Sequence, residues 1–574
     1  MRAEHFRSWL RGRLEGHSDQ VLLRILVSRT CPAPVEMTGA DILRRSLELA
    51  QLAAATPEGG VVLLLLPHSV ELFLLHIGLV LSGRLPAVLA WPTTRVDPRK
   101  YHQNLLYQLR NLPAGQLITL PALVRNLEGG LPYRVTECAI SGAEPMERAL
   151  TVPIEDEAWA KVPYQVADDT PRDGLFLQFS GGTTGAQKCV VVTAPMLERQ
   201  LARLRDCLKF NDCDGVASWL PLYHDMGLIA CLWLPLWIGA PSFHFSATDW
   251  LLEPDLLFQA LDGNRGTFCW LPNFAFSYLA SARERMRARY SLEHVRAFIN
   301  CSEPVRLRSM RSFAEAFGEW GVNPGQLQAS YAMAENVFAV TQTPLGEEPK
   351  TYPRSALRQN AAALSFDLLD DVYVSSGPAL PGMGVRIRGQ DGHFVEEGEP
   401  GGIEIRTESM FSGYWGNKGF QTSDLTPDAW YQTGDYGFLA DGDLFVIGRS
   451  KDIIIVGGQN VFPEDIEAIA NSAPGVYPGR VVALGFEDEE AATEAICVVA
   501  EMRGNYDPVT ANKLALEIRS LIVSGVGIAP RYVLVKPERW IVKSTAGKIS
   551  RRETRVRVLD ELAERRRIET NGTN

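Results

Sequence analysis

Apolar positions along the chain switch between helical and strand spacing. Ile42, Leu43, Leu47, Leu49 and Ala50 recur at helical spacing behind Thr38, a suitable N-cap with Asp41 three residues on. A turn at 57–60 then leads into the unbroken apolar run 61–66, which predicts a buried strand. A helix to about Ser82, a glycine at Gly83 and a strand over 87–90 complete a βαβ unit, with a further helix near 101–110 and strand near 116–120. Strands follow at 175–179 and 190–193, then a helix over 195–208 with Leu197, Leu201, Leu204 and Leu208 on one side. Beyond the run 217–223, the pattern predicts a helix to about Leu236, strands near 242–245, 267–270 and 297–300, and a helix over 309–317. Such alternation implies a parallel sheet covered by helices on both faces.

After Leu380-Pro381-Gly382 the spacing shortens to alternating strands at 384–388, 402–406 and 444–448, which predicts a small β-rich subdomain. A new unit starts near Arg449-Ser450-Lys451-Asp452. It holds a short strand, a helix opened by Pro463 with Glu464 and Asp465 in its first turn, two strands, a helix over 513–523 and a last strand at 531–535. The expectation is an α/β protein: a large domain over 1–450 made of α/β subdomains plus the β-rich one, and a small α/β domain over 451–574. Residues 571–574 are expected to be disordered.

Composition narrows the class. A chain of 574 residues exceeds one ordinary core, and 46% apolar with 22% charged residues is globular. A net charge of −11 argues against nucleic acid as a partner. The basic stretch 536–567 reads as a solvated helix face, or as a contact for an acidic partner. Nine cysteines without ligand spacing read as reduced thiols of a cytoplasmic protein. The N-terminus lacks a signal-peptide core, and the most apolar region, 61–81, is broken by Pro67, His68, Glu71 and His76, so no transmembrane segment is expected.

Candidate chemistry centres on the loop between the strands at 175–179 and 190–193. Glycines bring backbone N–H groups close to an anion, Ser180, Thr183 and Thr184 add hydroxyl donors, and Lys188 adds positive charge. The loop therefore reads as a phosphate cradle, the alternative being a hairpin tip with no ligand. It is no P-loop, because Cys189 and a strand follow Lys188 where Ser/Thr and a helix are needed. Ser180-Gly181-Gly182-Thr183-Thr184-Gly185-Ala186-Gln187-Lys188 resembles the phosphate-binding signature of the adenylate-forming superfamily, which includes acyl-CoA synthetases, fatty-acyl-AMP ligases and adenylation domains. It departs from that signature at Gly181, Gln187 and Cys189.

Four further motifs follow in the superfamily's order. Tyr331-Ala332-Met333-Ala334-Glu335 resembles the motif whose tyrosine stacks on adenine and whose glutamate helps bind magnesium, with Ala332 at a usual glycine. Tyr431-Gln432-Thr433-Gly434-Asp435 resembles the one whose aspartate holds the ribose hydroxyls. Gly448-Arg449-Ser450-Lys451-Asp452 resembles the inter-domain motif, which makes Arg449 a nucleotide ligand and Lys451 the hinge. Lys543-Ser544-Thr545-Ala546-Gly547-Lys548-Ile549-Ser550-Arg551 resembles the terminal motif, which makes Lys548 the lysine of adenylate formation. Taken singly, each has a structural alternative: Tyr331 in the core, Asp435 in a turn, Arg449 or Lys548 as surface charge.

The resemblance implies ATP and Mg2+, the metal held through Thr184 and Glu335, and attack of a carboxylate on the α-phosphorus. Leu220-Pro221-Leu222-Tyr223-His224-Asp225-Met226-Gly227, Pro272-Asn273-Phe274-Ala275 and Asn300-Cys301-Ser302-Glu303-Pro304-Val305 resemble runs of the fatty-acyl-AMP ligase branch. That branch loads acyl groups onto carrier proteins, and an insertion near 341–376 limits domain movement and disfavours CoA. The resemblance places Ser302, Glu303 and Pro304 at the nucleotide, Asp225, Asn273 and Phe274 at the substrate, and His224 beside Lys548 among the catalytic candidates. Gly185 and Lys188 match general acyl-CoA synthetases, which keeps CoA as the alternative acceptor. His224 and Asp225 also read as core residues, and Asp225 keeps an amino or hydroxy acid open as substrate. Trp219, Phe274, Phe276 and Tyr278 suit an apolar acyl tunnel or an aromatic core. A catalytically silent nucleotide-binding homologue is the rival from another class.

Overall fold

The computed structural model describes the chain apart from residues 1, 31–32, 92–100, 102–104, 106–107, 110–111, 122, 124–133, 141–172, 181–187, 264–265, 287, 358–371, 390, 412, 417–418, 423–424, 427, 457–458, 489–492, 544–548 and 572–574. Two eight-stranded sheets form the large lobe. In spatial order the first runs Ala339–Gln342, Leu327–Ala332, Ala297–Cys301, Phe268–Leu271, Val216–Ser218, Ser242–His244, Val21–Ile25 and Val35–Thr38. Its six inner strands are parallel and its two edge strands antiparallel. The second runs Gly419–Thr422, Gly413–Gly416, Cys189–Thr193, Gly174–Phe179, Leu85–Val88, Val61–Leu65, Gln116–Thr119 and Arg134–Glu137.

Every residue of helix Val70–Leu81 is buried, which is why the segment has no polar face. Helix Gly39–Ala50 packs directly on it: a Cβ at Gly78 would lie 2.0 Å from the Ser46 carbonyl oxygen, so only glycine allows that approach. The capping box at Thr38 forms as its spacing implies, with Thr38 Oγ1 accepting from Asp41 N at 3.2 Å. The strand expected at 87–90 lies at Leu85–Val88, shifted because it follows directly from the turn at Gly83. The helix expected to end near Leu236 is a π-helix, Met226–Trp233, continued by an α-helix, Leu234–Ile238. Much of the helix expected near 101–110 falls outside the described residues.

An antiparallel four-stranded sheet, Met383–Arg388, Gly401–Thr407, Tyr431–Ala440 and Asp443–Arg449, is the β-rich subdomain. The C-terminal unit contains hairpin Ile454–Val456/Gln459–Val461, helices Pro463–Asn471 and Pro508–Val526, and the sheet Val476–Asp488, Thr493–Met502, Tyr532–Lys536. Its two apolar clusters draw only on residues from Ile454 onward. The basic stretch belongs partly to helix Arg551–Asn571, whose Val558 is buried in one of those clusters; of the residues expected to be disordered, Asn571 ends this helix and 572–574 lie outside the described residues. All eight described cysteines are free thiols, and no described helix is long and apolar enough to cross a membrane.

Candidate active site

Parallel strands Val216–Ser218, Ala297–Cys301 and Leu327–Ala332 run the same way, so the motifs that follow them gather at the carboxyl ends of the strands. Crevices beyond the carboxyl ends of parallel strands are where open α/β sheets take ligands. His224 and Asp225 lie in the turn after the first of these strands. The His224 backbone N–H donates to Pro221 O at 3.1 Å, and Asp225 Oδ1 accepts from Met226 N at 2.8 Å, opening the π-helix. Gly227 is required there because a Cβ would sit 2.3 Å from Pro221 O.

Ser302 follows the second strand with φ +73°, a strained position for a residue other than glycine. Glu303 Oε2 accepts from the Phe274 backbone N–H at 2.9 Å. Asn273 spends its amide on the loop after the strand: Oδ1 accepts from Asn300 Nδ2 and Arg306 N, each at 3.0 Å, and Nδ2 donates to Ser309 Oγ at 3.2 Å. Pro304 lies within the loop so held. Phe274 is the open aromatic, 44% exposed, beside Trp219 and Trp250, whose rings stack at 4.1 Å. Phe276 is fully buried against Phe313, so for this residue the core reading holds. Tyr278 is half-buried, its hydroxyl donating to Leu251 O at 2.6 Å.

The third strand meets the four-stranded sheet. Tyr331 Oη donates to Asp435 Oδ2 at 2.5 Å, and Arg449 Nε pairs with Asp435 Oδ1 at 2.8 Å, Asp435 and Arg449 being cross-strand partners. Burial, then Asp435, pushes the Tyr331 phenol far above its usual value, while Asp435 holds Arg449 more firmly protonated. Ala332 pairs with Ala339, and Met333 N donates to Phe338 O at 3.0 Å, turning the chain so that Glu335 is buried. Burial raises the Glu335 carboxyl, with Asp225 adding to the rise and the Tyr414 hydroxyl and Arg449 opposing it. Tyr414 Oη donates to Glu335 Oε1 at 3.1 Å and lies 3.1 Å from Tyr431 Oη; Lys188 Nζ stands 4.5 Å from the Tyr414 ring centroid.

Thus Tyr331, Asp435 and Arg449 form one bonded cluster and Glu335, Tyr414 and Lys188 another, with Arg449 and Asp225 within electrostatic reach of Glu335. Ser180 is buried at the start of the glycine-rich loop, and its N–H donates to Lys188 O at 2.8 Å, closing the hairpin. Gly182, Thr183, Thr184, Gly185 and Lys548 lie outside the described residues. Lys451 stands in the one-turn helix Ser450–Asp452 directly after Arg449. A buried carboxylate that burial drives toward neutrality suits a hard divalent cation, whose charge would hold it ionised; Glu335 fits Mg2+ in this respect.

Several contacts of this region were not indicated by the motifs, although Arg551 itself ends the terminal one. Tyr414 joins Lys188 to Glu335; Arg306 and Arg354 both bind Asp465 of the C-terminal unit, at 3.2 and 2.9 Å; and Arg551 binds Glu464 and Glu467 at 3.0 and 2.9 Å. Only the alternation of Gly413-Tyr414-Trp415-Gly416 beside a neighbouring strand would have drawn attention to the first.

Residues 19–415 match the AMP-binding enzyme family, and the chain belongs to it. It is 29% identical to a putative acyl-CoA synthetase of Caulobacter vibrioides over 83% of this chain and 82% of that protein. It is 28% identical to the long-chain-fatty-acid–AMP ligase FadD32 of Mycolicibacterium smegmatis, over 92% of this chain and 89% of that protein. Among solved structures, a fatty acyl-adenylate ligase from a study of the E. coli and L. pneumophila enzymes superposes with a TM-score of 0.79 at 23% identity, covering 97% of this chain and 98% of that one. The fold is that of adenylate-forming ligases, with a large N-terminal and a small C-terminal part.

Proposed function

We propose that this AMP-binding enzyme activates a carboxylic acid, a fatty acid by its likeness to fatty-acid–AMP ligases, and passes the acyl group to the phosphopantetheine thiol of a carrier protein. In the first step a carboxylate oxygen attacks the α-phosphorus of ATP and pyrophosphate leaves with its bonding electrons. In the second the thiol sulfur attacks the acyl carbon and AMP leaves. The observation that carries this reading is the meeting of Tyr331, Asp435 and Arg449 with Glu335 and Lys188.

A carboxylate is already a nucleophile at neutral pH, so the first step needs positioning and cancellation of charge more than a general base. Asp435 and Arg449 hold the ribose end, with Tyr331 beside the adenine. Lys188, Ser180, Gly182, Thr183, Thr184 and Gly185 receive the phosphates, and Ser302, Glu303 and Pro304 border the nucleotide. Bound through Glu335 and Thr184, Mg2+ would spread the charge of the phosphates. Phe274 and Asp225 face the acid, Asn273 acts on it through the loop that its amide braces, and His224 stands near the reacting centre. Lys548, carried by a small domain beginning at Lys451, approaches for adenylation and withdraws for transfer, with Lys451 as the hinge.

Carboxylate-dependent exchange of labelled pyrophosphate into ATP tests the first step. Exchange is expected from the wild type and should fall about 10²- to 10³-fold in Lys548→Ala. A folded wild type that binds ATP yet shows no exchange with any of a broad acid panel would make the chain a silent homologue. Mass spectrometry after supplying CoA or a phosphopantetheinylated carrier identifies the acceptor; acyl-CoA alone would overturn the carrier reading.

A further inference from the structure

Tyr414 is not part of any nucleotide motif, yet it touches two charges that the site needs on opposite sides. Strand Gly413–Gly416 pairs antiparallel with Cys189–Thr193, setting Tyr414 opposite Val190 and hence beside Lys188 at the end of the glycine-rich loop. Side chains alternate along a strand. The neighbouring Trp415 accordingly points the other way, into an apolar cluster of the large lobe with Leu177, Phe179 and Val191, and its Nε1–H donates to Pro113 O at 2.9 Å. The strand is thus anchored from behind, and the Tyr414 ring lies under the Lys188 ammonium, 4.5 Å from centroid to nitrogen.

The hydroxyl does the second task. It lies 3.1 Å from Glu335 Oε1 and 3.1 Å from Tyr431 Oη. A phenol has one proton. Tyr414 gives its proton to Glu335 Oε1, so the Tyr431 hydroxyl donates in turn to the Tyr414 oxygen. The chain Tyr431–Tyr414–Glu335 fixes rotation of the carboxylate about its last bond, and the same ring fixes Lys188.

We infer that Tyr414 is a positioning residue, coupling the loop lysine to the metal-facing glutamate so that phosphate and Mg2+ are received in register. This rests on the acyl-adenylate reading of the site. Tyr414→Phe keeps the ring under Lys188 and deletes the hydroxyl; Tyr414→Leu deletes both.

The test is ATP affinity by calorimetry in EDTA and in Mg2+, with thermal melts of each ligand-free variant and Mg2+ titration of pyrophosphate exchange. In Tyr414→Phe, affinity in EDTA should stay within about twofold of wild type, while the gain on adding Mg2+ falls about tenfold, the size of one lost hydrogen bond to a charged group. The apparent KM for Mg2+ rises and kcat at saturating Mg2+ is retained. Tyr414→Leu should also lose about three- to fivefold affinity in EDTA, with the cation–π contact. A wild-type Mg2+ response in Tyr414→Phe overturns the inference. So do equal losses in both variants that track lowered melting temperatures, since they would make Tyr414 a space-filler. A wild type that fails to bind ATP rejects the reading of the site itself, a separate result.

Discussion

The sharpest test of how the two lobes hold together is Asp465→Asn. Asp465 lies in the first turn of helix Pro463–Asn471, its side chain 9% exposed, and accepts from Arg306 Nη1 at 3.2 Å and Arg354 Nη1 at 2.9 Å. Both arginines belong to the large lobe: Arg306 closes the loop after Glu303, and Arg354 lies in the segment 341–376. Burial by itself would raise this carboxyl, but the two guanidiniums outweigh it and hold it below the usual range. Asparagine keeps the shape and removes the charge that neutralises Arg354, which is 3% exposed and lies 4.3 Å from the Tyr373 ring centroid. Breaking a buried ion pair from one side costs about 3–5 kcal/mol. Arg306, at 19% exposure, is partly screened by water, so the lower figure, about 3 kcal/mol, applies.

That energy is the difference between docked and undocked lobes, and it should appear as opening at the Ser450–Asp452 turn. Where opening and closing outpace cleavage, proteolysis follows the open population. Trypsin cutting after Lys451 should then quicken on the order of 100-fold, since each 1.4 kcal/mol is about tenfold. Because the folded carboxyl is depressed, its contribution is present above the unfolded value near 3.8 and is lost only as pH falls through the lower folded one. Wild-type protection should therefore not change through this group between about pH 5 and 8. Cleavage within threefold of wild type, or a protection that vanishes in wild type near neutrality, would refute the ion-pair argument.

Two further outcomes follow from the same geometry. Burial, with Glu464 sharing the same Arg551 guanidinium, pushes Glu467 up to about 7 in spite of that arginine. A carboxyl raised above its unfolded value of about 4.5 stabilises fully below 4.5 and loses that contribution as pH rises through 7, so the C-terminal unit should melt lower at pH 8 than at pH 5.5 and Glu467→Gln should flatten the difference. Scanning calorimetry of the full chain reads this, and an unchanged pH slope in Glu467→Gln would count against it. Gly227→Ala places a methyl against Pro221 O and should cost about 1–3 kcal/mol, seen as a lower melting temperature by circular dichroism; an unshifted melt would mean that the π-helix yields without strain.

Much of the large lobe was legible because its strands are buried on both faces. Runs such as Val61–Leu65 and Ala297–Cys301 are apolar at every or nearly every position, and this texture marks parallel sheets. The same property hid the π-helix: Met226–Trp233 is buried all round, so nothing in its pattern distinguishes one helical pitch from another. The N-terminal helix Ala3–Gly16 escaped for the opposite reason. Its apolar side, Phe6, Leu10 and Leu14, is thin, and the charged residues between read as a polar terminus. In the C-terminal unit, the opening proline of Pro463–Asn471 and the last strand, Tyr532–Lys536, were visible locally, whereas the ionic contacts that seat it on the large lobe are not properties of any one segment.

The site divides along the same line. Tyr331, Glu335, Asp435 and Arg449 were recognisable because each task demands one side-chain type within a short motif, and the fold brings all four together from strands far apart in the chain. Residues that act by holding others have no such requirement on their neighbours. Asn273 reads as a substrate contact in its motif, but its amide is committed to Asn300, Arg306 and Ser309, so its effect on substrate would pass through the loop it braces. Tyr414 is an ordinary strand tyrosine until the pairing with Cys189–Thr193 puts Lys188 over its ring and Glu335 at its hydroxyl. A charge needed for chemistry is written into local sequence, whereas the register that aims it is written into sheet pairing; substitutions at Tyr414 should accordingly change how the metal and nucleotide are met while leaving every motif residue in place.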